Sequence, residues 1–241
     1  MLKPVFLLMA VLSAFGAASA VGELPIPENA LWEPIVDEVY LQEVGSLIET
    51  SSPLNAVAVF QGKAYVGDMQ GVAVVDGETL KRLDVPLGNV TRLRVLNDAL
   101  WAASPKGLLT FDGAAWSLAA DMPVTDMCLR NGHVAFASGT ALYTIDGASA
   151  VPLAENSPTE LLGIAPYSGT IYVHDGRRVG LLERGKVVYD EITDWGSLEH
   201  GCSIRNIMSY GSRLYVATDE GLCLLRGMTW HAIQVEDGLC Y

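Results

Sequence analysis

Five times along this chain an apolar strand, a tight polar turn and a second apolar strand lead to a residue pair suited to reversing direction. The pairs are Asp76-Gly77, Asp112-Gly113, Asp146-Gly147, Arg184-Gly185 and Arg226-Gly227. Glycine to glycine, the intervals are 36, 34, 38 and 42 residues, within the range in which self-similarity marks a stacked array of small units.

Each unit resolves into four strands, A to D. Strand A reads Ala56 to Phe60, Thr91 to Leu96, Val124 to Leu129, Leu161 to Ala165 and Ile204 to Ser209. Each is followed by Gln61-Gly62, Asn97-Asp98, Asn131-Gly132, Ser168-Gly169 or Gly211-Ser212, pairs that accept the positive φ of two-residue hairpin turns. Strand B carries Tyr65, Trp101, Tyr172 and Tyr215 at one position, with Ala135 in the third unit; aromatic and β-branched residues suit a half-buried pleated surface. Strand C begins at Val72, Leu108, Ala141, Val179 and Leu222. Strand D is polar and weaker, as an exposed outer strand that resists edge pairing should be. The expected fold class is therefore all-β, a β-propeller of four-stranded antiparallel blades. A two-sheet sandwich is the alternative, but it needs no period.

The ends are unequal. Residues 46–53 parallel 151–158, and Ile35 to Leu41 reads as a strand C. The N-terminal extension, 21–53, would thus supply half a blade before five full repeats in 54–241. Because the chain stops where a new strand A should begin, a propeller incomplete at its C-terminus is expected; a five-bladed ring latched by the N-terminal strands is the alternative.

Met1 to Ala20 reads as a secretory signal peptide, with Lys3, an apolar run from Val5 to Leu12, and Ala18-Ser19-Ala20 at the cleavage site. The run is too short to span a bilayer, so a secreted or periplasmic protein without membrane insertion after signal removal is expected. Net charge is −13, and losing Lys3 takes it to −14. Such acidity disfavours nucleic acid and anionic membrane surfaces as partners.

Four cysteines, Cys128, Cys202, Cys223 and Cys240, match no zinc spacing. In an oxidising compartment, Cys202 and Cys240, at or just before strand A of neighbouring units, are candidates for a disulfide.

The fifth unit, Leu214-Tyr215-Val216-Ala217-Thr218-Asp219-Glu220-Gly221-Leu222 with Gly227, Trp230 and Glu236-Asp237-Gly238-Leu239, resembles the two-component-regulator propeller repeat. The second matches more loosely through Leu100-Trp101-Ala102, Gly107-Leu108, Asp112-Gly113 and Trp116. The resemblance implies an exported sensor-like propeller that binds a ligand.

Propellers present partners to the face made by the D-to-A and B-to-C connections. Candidate ligand-binding residues there are Asp68, His174, Asp175 and Asp219 in B-to-C loops, and Arg92, Asp126, Glu160, Arg205 and Asn206 entering strand A. Turn chemistry alone accounts for many of these residue types. His174-Asp175 suggests a base with an orienting carboxylate, but neighbours on a strand point to opposite faces. No catalytic residue, metal site or cofactor is expected. The function expected is a non-catalytic scaffold binding a glycan, peptide or protein; the alternative is a hydrolase or lyase with its site at the central channel.

Overall fold

The computed structural model describes residues 47–189, 202–226 and 229–233. Within them the chain forms twenty strands in five four-stranded antiparallel sheets, each in simple sequence order. Blade 1 comprises β1 (Leu54–Phe60), β2 (Lys63–Asp68), β3 (Gly71–Asp76) and β4 (Thr79–Arg82). Blade 2 comprises β5 (Arg92–Leu96), β6 (Ala99–Ser104), β7 (Gly107–Phe111) and β8 (Trp116–Ala120). Blade 3 has β9 (Asp126–Arg130), β10 (His133–Ser138), β11 (Ala141–Asp146) and β12 (Ser149–Ala154). In blade 4 they are β13 (Gly163–Tyr167), β14 (Thr170–His174), β15 (Val179–Glu183) and β16 (Lys186–Tyr189), and in blade 5 β17 (Ile204–Tyr210), β18 (Arg213–Thr218), β19 (Gly221–Arg226) and β20 (Thr229–Ile233). The first strands of successive blades lie against one another, which makes the array a five-bladed β-propeller. The expected strand C at 35–41, the signal peptide and Cys240 lie outside the described residues, whereas residues 47–53, expected to parallel an outer strand, form no strand.

The hairpin turns are built as their residues dictate. In four of the five A-to-B turns both central residues have positive φ, as at Asn131 (50°) and Gly132 (79°), the mirror-image geometry that matches strand twist. The aromatic position of strand B faces the following blade. Tyr65 packs with Leu93 and Phe111, and Trp101 with Met127 and Phe136; Tyr172 joins Ile207. In the third unit Ala135 takes that position, while Phe136 faces back towards blade 2 and stacks on Tyr143 at 5.4 Å.

Two first strands begin two residues later than the sequence suggests. Val124 and Leu161 are buried and apolar, so they read as strand, yet their amides donate to Ser104 O and Gly139 O in the preceding blade. Val90 N to Asp68 O and Ile204 N to Gly176 O complete the series. At every described junction the backbone entering strand A is thus pinned to the previous B-to-C corner. On the side of β1 away from blade 2, Val57 and Val59 are each 67% exposed; Ala56 and Ala58 on the other side pack into the interblade core.

Candidate functional site

Antiparallel order puts the B-to-C corners and D-to-A connections at one end of the blades and the A-to-B turns at the other. Nine expected site residues fall at the first end, and what they do there divides them into three groups.

The first group joins blades 2, 3 and 4. Asp126, at the start of β9, is completely buried. Its Oδ1 accepts from Arg94 Nη2 at 2.9 Å, and its Oδ2 from the Ile164 amide at 3.0 Å; Arg92 Nε lies 3.8 Å away. His174, at the end of β14, is 2% exposed, and its Nδ1 accepts from the Gly176 amide at 3.2 Å. A Cβ placed on Gly163 would sit 2.4 Å from His174 Nε2 and 3.6 Å from Asp126 Oδ2, so imidazole and carboxylate converge where that side chain is missing. Burial lowers the His174 pKa to about 4, although Asp126 and Asp175 pull the other way. The imidazole is therefore neutral near pH 7. The side chains of Arg92 and Arg94 are 35% and 32% exposed, and each places a guanidinium between the buried carboxylate and solvent.

The second group serves individual corners. Asp68 accepts from Arg82 through both carboxylate oxygens, from Ser52 Oγ at 2.6 Å and from the Gln70 amide at 2.8 Å. The Arg82 guanidinium, helped by Ser52 and Gln70, outweighs burial and holds this carboxyl far below the usual carboxylate range. Asp175 Oδ1 accepts from the Arg177 and Arg178 amides, and Oδ2 from the Arg178 guanidinium and Thr159 Oγ1. Burial pushes Asp175 up, but these donors together prevail and its pKa is lowered. Arg178 also lies 4.3 Å over the Tyr189 ring. Asp219 Oδ1 accepts from the Ser203 amide at 2.7 Å. Four strand-B ends follow one rule: Asp68, Ser104, His174 and Thr218 each accept from the amide two residues on, as turn acceptors do.

The third group is solvent-facing. Glu160 and Arg177 are exposed in connections, and Arg205 and Asn206 are exposed on β17. Register slips between Ile204 and Asn206, a bulge that turns Arg205 out of the ladder; Asn206 Oδ1 accepts from the Ile207 amide. A cleft at this end is lined by Thr159, Asp175, Gly176, Arg177, Arg178 and Ser203.

Sequence reasoning named Asp126 and His174 but missed Arg94, which repeats Arg92 two residues on and so shares its face of β5. It also missed Arg82 and Arg178. The Asp175 to Arg178 spacing was a local signal; Arg82, on an outer strand, offered none. Among the described residues no three His, Cys, Asp or Glu side chains come together as metal ligands. Cys128, Cys202 and Cys223 are buried and free; burial pushes the Cys128 thiol up to about 12 and Cys223 to about 11.

No protein-family model matches the chain, and no curated protein matches it. Solved structures do. The extracellular domain of BT3049 from B. thetaiotaomicron, described as a hybrid two component system, is 16% identical with a TM-score of 0.63, over 78% of this chain and 29% of that one. The extracellular domain of BT4673 from the same organism, described as a one component system, gives 14% and 0.57 over 76% and 28%. YCF48 bound to D1 peptide gives 14% and 0.52 over 76% and 69%. The chain spans less than a third of each of the first two. At these identities the likeness is one of fold. Among the described residues, no helix is long and apolar enough to cross a membrane. Within its described residues the chain is a five-bladed β-propeller, alike in fold to the extracellular domains of BT3049 and BT4673.

Proposed function

We propose that this chain is an exported, non-catalytic binding scaffold, which takes a peptide, protein or glycan on the face formed by its B-to-C corners and D-to-A connections. The observation that carries the reading is the division of labour at that face. Asp68, Asp126 and Asp175 are each taken up by an arginine and by backbone amides, while Arg177 and the bulged Arg205 remain exposed to solvent. Pinned corners keep those side chains in place before a partner arrives, which lowers the ordering cost of association. Known structures on this fold include a propeller with a bound peptide.

The test is to screen the mature protein against arrays of glycans and synthetic peptides, then to measure the strongest hit with Arg177→Ala and Arg205→Ala. Both variants should weaken it roughly tenfold or more, while Lys81→Ala, on the outer strand β4, leaves it unchanged. Retention of full affinity in both variants sinks the proposed face.

A further inference from the structure

The other end of the blades holds a second polar feature that the scaffold reading does not use. Asp126, Cys128 and Arg130 alternate along β9 and face β13, as shown by the Asp126 bond to the Ile164 amide and by Cys128 packing with Ile164. At the far end of that row, Arg130 reaches a cleft of about 390 Å³, framed by the A-to-B turns of blades 3, 4 and 5. Asn131, Tyr167, Ser168, Thr170, Ser209 and Ser212 supply its polar lining, and among the described residues no carboxylate lines it.

Arg130 Nε is buried and has no hydrogen-bond partner among the described residues. A buried guanidinium N–H without an acceptor is costly, because it has lost water and gained nothing in return. Asp126, whose negative charge is already shared by Arg92 and Arg94, lies four residues away, roughly 13 Å along the strand. In a chain of net charge −13, a partly buried cation in an acid-free cleft rimmed by hydroxyl and amide donors stands out. A planar guanidinium matches oxyanion geometry, donating two parallel N–H bonds to the oxygens of the anion.

We infer that the cleft between the three A-to-B turns is an oxyanion-binding site, with Arg130 as its anchor and a carboxylate or phosphate group as its ligand. Hydroxyls of Ser168, Ser209 and Ser212 donate to oxygens the guanidinium does not take. The site lies at the opposite end of the blades from the proposed partner face and stands or falls independently of it.

The test uses the mature protein with inorganic phosphate and, separately, acetate, following the Arg130 side-chain Nε–H resonance and the amides of Ser168, Gly169 and Ser212. A saturable shift with phosphate alone assigns a phosphate-bearing ligand; with acetate alone, a carboxylate; with both, either oxyanion. Each of these results upholds the site. Arg130→Gln should weaken binding roughly tenfold to a hundredfold, and Arg130→Lys should do so less, since charge survives but the fork does not. The inference is overturned if neither anion saturates below about 20 mM, or if Arg130→Gln binds within twofold of wild type. The wild-type titration needs no variant, so a folding defect in Arg130→Gln leaves the test decisive.

Discussion

His174 should impose a pH dependence on stability that can be isolated from every carboxylate. Its folded pKa is about 4 against an ordinary value of 6.5, so the native state holds the neutral imidazole and the unfolded chain binds the proton more readily. Stability from this group is fully present above pH 6.5 and is lost as pH falls from 6.5 towards 4. The full difference is about 3 kcal/mol at about 1.4 kcal/mol per pH unit, and about 2 kcal/mol should be gone by pH 5. Asp68 and Asp175 have depressed values, so their contributions begin to fail only near and below the ordinary carboxylate value of 3.8. Urea denaturation from pH 8 to 4.5 measures the loss directly. His174→Gln, whose amide oxygen can still accept from the Gly176 amide, should be less stable than wild type at pH 7.5 but lack most of the decline between pH 6.5 and 4.5. A wild-type stability that is flat across that range, or a variant with the same slope, refutes the reasoning.

Gly163→Ala should destabilise the protein by roughly 1–3 kcal/mol, because the new methyl group meets an imidazole that is both buried and tethered through Nδ1; pairing it with His174→Ala should recover part of the loss in the same melting assay. Cys128 and Cys223, buried and with raised pKa values, should react with a thiol reagent only as fast as the protein unfolds. Fast labelling of either in the native state contradicts their placement.

The blades were legible because two signals agreed: period-two alternation of apolar residues, and turn pairs that tolerate positive φ. The boundaries at Val124 and Leu161 were not, since a buried apolar residue looks the same whether its amide joins a ladder or pins the next blade to the last. Asp126 and His174 were recognisable as polar residues at strand ends. That they converge was not, because 48 residues separate them and Gly163, the residue that makes room for both, carries no side chain to announce it. Two arginines were hidden for a similar reason. Arg82 sits in a strand whose polarity is what an outer strand requires anyway, and Arg130 lies at the end of β9, beside a turn where a solvated cation is ordinary.

The central claim is that Asp68, Asp126 and Asp175 at the B-to-C end hold corners and blades together, which leaves the exposed Arg177 and Arg205 to meet a partner. Thermal melting of Asp68→Asn, Asp126→Asn and Asp175→Asn at pH 7.5 tests it most directly. Breaking a buried ion pair costs about 3–5 kcal/mol, less where the arginine partner can turn to water. With 1–3 kcal/mol remaining, each variant should melt roughly 3–10 °C below wild type. Carboxylates kept for catalysis or ligand binding would behave in the opposite way, since removing them commonly leaves stability unchanged or raises it. Three variants melting at or above the wild-type temperature would contradict the account.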